Sequence, residues 1–486
     1  GFNALPSGIR KYNFKRGEKT SWWSSTDQIG GTINYAISFD NDGLFPMTSN
    51  NSSYDLPVRC IKDTSILDTV NIYISKNEKY YNSNKSDSEI EIKDENLEKR
   101  LIFLELDRSF DGKLLKSESK NIDSLNLSYA DISSLDDMSN FPALIYLDCS
   151  HNYLYLNNID LRKNKKLKYL VSVGNNPTHI DLTKNKNLEY LDFSDNQLTN
   201  LDLRKNKKLK YLKLGQDRIG SNGNQLTSLD ISNNPNLTEL DCSSNQLTSL
   251  DVSNNPDLLD LSCSINQLTS LDLSNNPNLT ELNCISNQIT SLDLSNNTAL
   301  TELDCLSNQL TSLDLSNNTA LTELDCWSNQ LTSLDLSKNT ALKSLSCNSN
   351  QLTSLDVSGC NALIDLSCNS NQLTNLDLSN SPNLIELDCE GTQLKGLDLS
   401  GFLNLEKLNC HYCYDLEYLN VSGCISLLYV GISYIENSVL KKGYNSLGGK
   451  YLSHKNDISK YKLKKLDLSG TKLKYHFPEI KGFTKF

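Results

Sequence analysis

Leu237-Thr-Glu-Leu-Asp-Cys-Ser-Ser-Asn-Gln-Leu-Thr-Ser-Leu-Asp-Val-Ser-Asn-Asn-Pro-Asp257 is one copy of a 21-residue unit that recurs with little drift from Asn224 to Cys410. Cysteine returns at 242, 263, 284, 305, 326, 347, 368, 389 and 410, and Asn-Gln follows three residues after most of them. A fixed period of this length means stacked coils, each burying its apolar side only against its neighbours. The pattern Leu-x-x-Leu-x-Leu-x-x-Asn occurs twice per unit, once through Leu240 and Cys242 to Asn245, again through Leu250 and Val252 to Asn255. Alternation within each Leu-x-Leu predicts a short strand with one face inward, and the coil has no room for a helix. The fold class that follows is mainly β. It is a parallel β-solenoid of about fourteen coils, with two short strands per coil and an α-helical N-terminal cap. The coils centre on Cys149, Val173, Phe193, Leu214, the nine cysteines and Val430, and fill residues 122–431.

Over about residues 120–430 this alternation of ten- and eleven-residue units resembles the nested-period (IRREKO-type) class of bacterial leucine-rich repeats. The resemblance implies a scaffold for protein recognition, with no enzymatic activity intrinsic to the coils. No HExxH, GxSxG or GxxxxGK motif occurs, and an inward cysteine ladder offers no accessible thiolate–His pair.

The register assigns the cysteines. Cys149 and the nine of the ladder point into the core, where a thiol behaves as a small hydrophobe. Cys413 takes the asparagine place of the first strand, and Cys360 and Cys424 that of the second. The rival reading is a metal or redox site at Cys410-His-Tyr-Cys413 with Cys424. The asparagines themselves fit a structural role, pairing backbone groups where the coil turns inward.

Charge is unevenly spread around a net value of −12. Residues 160–213 carry thirteen Lys/Arg against six Asp/Glu, and residues 214–409 five against twenty-four. An acidic middle argues against a nucleic-acid groove along the solenoid. An outward stack of acids (Asp230, Asp251, Asp272 and onward to Asp398) reads either as a solvated face or as a site for cations or a basic partner. Basic turns at Arg162–Lys168, Lys184–Lys186 and Arg204–Lys210 stack in successive coils, which suits solubility or an anionic glycan. A short insertion at 215–223 adds a loop.

The flanks read differently. Residues 1–63 contain Gly1-Phe-Asn-Ala-Leu-Pro-Ser-Gly-Ile-Arg10, Ser21-Trp-Trp-Ser-Ser-Thr26 and Pro57-Val-Arg-Cys-Ile-Lys-Asp63. In this order they resemble the closing part of the "major paralogous" domain of gut and fibre-degrading bacteria, a secreted family similar to C-type-lectin-like folds. Trp22 and Trp23 read as core aromatics rather than ligand platforms. Residues 64–90 read as a linker, 91–121 as a helical cap with a calcium-like loop, and 432–486 as a C-terminal tail holding a last half-repeat. In the cap, Leu97, Leu101, Leu104 and Phe103 share a helical stripe and Asp94 is its N-cap. The loop places Asp107, Ser109, Asp111, Lys113 and Glu118 at EF-hand positions 1, 3, 5, 7 and 12, with Gly112 at 6. It reads as a calcium site or as a tight Asp-Gly turn with solvated acids. No cofactor beyond calcium is implied.

Gly1 opens in mid-pattern without an initiator Met or signal peptide, so the chain reads as a fragment whose start tells nothing about export. The resemblance of residues 1–63 to a secreted family implies an exported, extracellular or cell-surface protein. It holds no apolar run of membrane-spanning length. The expected partner is a protein, with a glycan or cell-envelope polymer as the alternative. The residue after each core cysteine should face outward, and three consecutive rungs there are apolar: Ile285, Leu306 and Trp327. With Glu302 and Glu323 as a polar rim, they form the candidate protein-binding site. The rival is an apolar ladder that stabilises the sheet by mutual contact.

Overall fold

In every coil the segment before the core cysteine forms a three-residue strand, as at Glu239–Asp241, Asp260–Ser262 and Glu281–Asn283. Its central leucine points inward and its neighbours point outward, as the two-residue period of a strand requires. Fifteen such strands, from Ser124–Asn126 to Tyr429–Gly431, make one parallel sheet. Register pairs like with like, Leu240 with Leu261 and Leu261 with Leu282. The computed structural model describes residues 20–28, 31–40, 43–44, 88–107, 113–152, 159–216, 223–431 and 465–467. The chain divides into two compact units, Gly1–Asp87 and Ser88–Phe486.

In the first unit, Thr20–Gln28 and Gly31–Asp40 pair antiparallel, with Gly43–Leu44 as a third strand. Trp22 and Trp23 stand opposite Ile37 and Ala36. Cys60, the remainder of the lectin-like segment and the linker through residue 87 lie outside the described residues.

The second unit opens with Glu89–Glu91, paired antiparallel to Lys113–Leu115. Between them lies helix α1, Glu95–Phe103. One oxygen of Asp94 accepts the Asn96 and Leu97 N–H groups. The other accepts the Ser133 N–H and hydroxyl and the Ser134 N–H, tying the cap to the first coil. Leu97 and Leu101 are fully buried and Leu104 packs on the core. Phe103 does not join them. It is 58% exposed, with the Arg100 guanidinium 5.1 Å from its ring centre. Helix α2, Lys116–Ser119, leads into the first coil.

The second half of each coil is extended but poorly paired. Asp335, Asp356 and Asp377 form isolated bridges, and only Gly396–Asp398, Tyr418–Asn420 and Lys465–Asp467 make a second small parallel sheet. Asp251 accepts the Ser253 N–H at 2.9 Å, and its counterparts at 272, 293, 314 and beyond do the same, bending the chain into Asx turns. The acidic stack therefore has a turn-forming role, and the serine bonds hold carboxylates such as Asp251 and Asp272 below the usual range.

Two columns of buried asparagines close the coils. In the first, the Asn266 side chain donates to the carbonyls of Cys242, Cys263 and Ser264 and accepts the Leu247 N–H, all within 3.1 Å. In the second, Asn276 donates to the carbonyls of Val252 and Asn255. Cys413 replaces an asparagine of the first column, its thiol 3.2 Å from the Cys389 carbonyl. Cys360 and Cys424 replace two of the second, pointing at the Leu336 and Leu399 carbonyls.

Two expected centres are displaced. Val430 aligns with Leu408 and so holds a leucine place, the cysteine place at 432 lying outside the described residues. Leu170 aligns with Leu147 and Leu191, so Ser172 and not Val173 holds the cysteine position. Asn175, three residues after Ser172, fixes that register by donating to the Ser172 hydroxyl and the Cys149 carbonyl. The other ladder positions are filled as predicted, by Cys149, Phe193, Leu214 and the nine cysteines, all buried. The thirteen described cysteines are free and buried. Burial pushes the Cys149 and Cys347 thiols up to about 12. A maleimide reagent should therefore label almost none of them in the native chain at neutral pH and nearly all in denaturant. Native labelling of the ladder, or disulfides linking 242, 263 and 284, would contradict this packing.

Candidate recognition surface

The outer face of the fifteen-stranded sheet carries two rows of side chains, one on each side of the inward leucines. The first row runs Tyr146, Tyr169, Tyr190, Tyr211, then Glu239, Asp260, Glu281, Glu302 and Glu323. Sequence reading missed the tyrosine ladder. Its signal was tyrosine at one register position in four successive coils, just before each inward leucine.

Stacking carboxylates at a strand spacing of ~4.8 Å is unfavourable, and burial adds to it. Burial and the neighbouring Glu281 and Glu239 push Asp260 up to about 6. In the second row, burial pushes Asp304 up to about 6, helped by Asp325 and opposed by the Leu306 N–H. This acidic face holds its charge at a cost.

Within it lie the apolar residues. The chain links Ile285, Leu306 and Trp327 across adjacent rungs, through Ser286 N–H to the Leu306 carbonyl and Ser307 N–H to the Trp327 carbonyl. Trp327 is 44% exposed, while Ile285 and Leu306 are half-buried. The corresponding Ser243 and Ser264 are buried, so this position does not face solvent in every coil. The carboxylate or amide two residues earlier accepts its N–H, as Asp241 does from Ser243 and Asn283 from Ile285, and folds it back against the strand. Glu302 and Glu323 are exposed at the other side of the same strands. Ile265 was missed. It is 45% exposed, and its N–H donates to the Ile285 carbonyl at 2.7 Å.

The calcium-like loop is only partly described. Asp107 is buried, Lys113 lies in the strand paired with Glu91 and its ammonium reaches Glu89, and Glu118 lies in α2. Ser109 and Asp111 lie outside the described residues. At the far end, Cys410 and Cys413 are both buried, and Cys413 contacts the Thr392 hydroxyl at 3.3 Å. Among the described residues, no three His, Cys, Asp or Glu side chains gather as a metal site.

Comparison with known proteins agrees with this architecture. The family model "Leucine Rich repeats (2 copies)" matches residues 319–360, and "Leucine Rich Repeat" matches residues 187–209. The functional domain of InlJ from Listeria monocytogenes, described as including a cysteine ladder, is 32% identical. The match covers 71% of each chain, with a TM-score of 0.58. An internalin (inlF) from the same species is 23% identical over 68% of this chain and 96% of its own, with a TM-score of 0.56. A leucine-rich-repeat protein of Leptospira interrogans is 22% identical over 65% of this chain and 92% of its own, also at 0.56. Both show the same fold. No curated protein sequence matches the chain.

The raised carboxylates have a consequence for stability. With a folded pKa of about 6 for Asp304 and a lower unfolded value, the folded state binds more protons between them, so stability falls as pH rises through that window. Asp304→Asn keeps an acceptor for the Leu306 N–H, and Asn283 already holds the same place one rung earlier. It should raise the melting temperature at about pH 7.5 and lose most of that gain near pH 4. A gain of equal size at both values would show that the Asp304 charge is not the cause.

Proposed function

Because the chain belongs to the leucine-rich-repeat proteins, we propose that it is a non-enzymatic recognition scaffold, secreted or held at the cell surface, that binds a protein through the outer face of its long sheet. The observation that carries this reading is Trp327, a large aromatic 44% exposed in the acidic stretch of the sheet, with Glu302 and Glu323 exposed on the same strands. A polar sheet gains nothing from presenting an indole to water, whereas binding interfaces place aromatic anchors within a polar surround. Leu306 and Ile285 follow Trp327 on the two preceding rungs, Ile265 extends the row, and Glu302 and Glu323 lie on the other side of the strands. The short strands and buried asparagines hold all of these on a rigid backbone, which lowers the ordering cost of association.

Export is supported by the N-terminal segment, which resembles a domain of secreted proteins. No described helix is long and apolar enough to cross a membrane.

The test places a photo-cross-linking residue at Asn348, beside Trp327, and identifies the captured protein by mass spectrometry. Trp327→Ala should then weaken binding of that protein by more than ~2 kcal/mol while changing the melting temperature little. A variant that melts earlier yet binds as before would make the patch a stabilising ladder and place the site elsewhere.

A further inference from the structure

Three consecutive coils near the N-terminal end carry a second surface of different chemistry. Their turns align residue by residue. Lys163, Lys184 and Lys205 form one column, and Lys165, Lys186 and Lys207 another. All six are exposed. The turn is held by groups that the lysines leave free for the purpose. Asn164, Asn185 and Asn206 are buried and link successive coils through their amides, and the Asn187 side chain donates to the Lys165 carbonyl. Arg162 and Arg204 each make two bonds to their own Asp160 and Asp202, which hold those carboxylates down at about 2. These arginines are committed to the turn. The lysine columns stand at one rung spacing of ~4.8 Å, where like charges repel and a polymer of repeating anions replaces the counter-ions they hold.

The chain runs from these turns directly into the tyrosine ladder. Lys168, Glu189 and Lys210 precede Tyr169, Tyr190 and Tyr211, and the Lys168 ammonium pairs with Glu189 at 2.9 Å. The rings of Tyr190 and Tyr211 lie 5.9 Å apart at 36°, part-exposed. Tyrosine offers an apolar face and a hydroxyl together, and so suits a ligand that alternates C–H patches with hydroxyl groups. The ladder ends where Glu239 takes its place, and beyond that point the sheet is acidic.

We propose that the lysine columns and the tyrosine ladder of residues 146–211 form a binding site for a linear anionic polysaccharide, separate from the Trp327 surface. The lysines take the carboxylate or sulfate groups and the tyrosines take the sugar rings. A nucleic acid fits less well. The Tyr190 and Tyr211 rings are part-exposed and tilted 36° to one another, which suits sugar faces better than the flat stacking of successive bases. The carboxylates of Glu239, Asp241 and Asp260 confine any anionic chain to these coils.

Calorimetric titration of the full chain with heparin, polygalacturonate, neutral dextran and poly(dT) tests this. At least one of the two anionic polysaccharides should bind at about 150 mM salt, with an affinity that falls steadily as salt rises, and dextran should not bind. Lys165→Ser, Lys186→Ser and Lys207→Ser together should weaken binding at least about tenfold. Tyr190→Ser should weaken it about threefold or more with the salt slope unchanged, which a plain charge patch would not show. Each variant should keep its melting transition, and Trp327→Ala should bind the polysaccharide as the native chain does. Binding of poly(dT) as tight as that of the polysaccharides would overturn the proposal. So would equal binding of dextran, or full affinity in the lysine or tyrosine variants.

Discussion

The coil must turn inward directly after each strand, and the residue that makes the turn sits in left-handed backbone. Ser244, Ile265, Ser286, Ser307, Ser328, Ser349 and Ser370 all have φ between 48° and 57°. Residues with a Cβ pay about 1–2 kcal/mol for this conformation. What holds them there is the next side chain. From Asn245 to Asn371 the first-column asparagine donates to carbonyls of its own coil and of the one before, and accepts an N–H from the previous coil, as Asn308 does with Cys284, Cys305, Leu306 and Ile289. At Asn196, beside the insertion, only the donor half is used. Each bond is worth about 1 kcal/mol net, and leaving these groups buried without it would cost more. Stacking, register and the flat outer face all depend on this one amide.

The second column shows the same device under less demand. Its asparagine nitrogens bridge coils, yet the side-chain oxygens of Asn255, Asn276, Asn297, Asn318 and Asn339 are buried with no hydrogen-bond partner. Only the donor half is used. The sequence varies accordingly: Cys360, Ser381 and Cys424 stand in this column and still donate to a carbonyl, and Phe402 stands there with no side-chain donor at all. In the first column the asparagine yields at the two ends, to Ala130 in the first coil and to Thr392 and Cys413 near the last, and the left-handed residue before Thr392 is Gly391 at φ 65°. At Thr392 glycine removes the backbone strain, whereas Tyr412 before Cys413 and Tyr129 before Ala130 remain left-handed at φ 56° and 51°.

The solenoid was legible because its period is strict and leucine, cysteine and asparagine each keep one place in it. Where one of those markers is missing, reading failed locally. Serine at 172 hid the core position, and the apolar Val173 beside it took the role on paper. The second strand looked equal to the first, because hydrophobic spacing does not reveal which of two similar segments pairs across coils. The candidate surface was legible in outline only. Trp327 reads as unusual from sequence alone, but how far Ile285 and Leu306 are tucked in depends on the bend after the strand. The stacked basic turns were legible from the repeat, whereas the tyrosine ladder acquires meaning only when successive strands are laid in register, since each coil contributes a single member.

The dependence on the first asparagine column can be measured directly by comparing Asn308→Ala with Asn318→Cys in urea unfolding of the full chain. Asn308→Ala should cost about 2–4 kcal/mol, because several buried backbone groups lose their partner while Ser307 stays left-handed. Asn318→Cys, which copies the side chain found at position 360, should cost about 1 kcal/mol or less. Equal losses at the two positions, or a loss at Asn308 within about 0.5 kcal/mol of zero, would contradict the claim that the amide of the first column holds the coil.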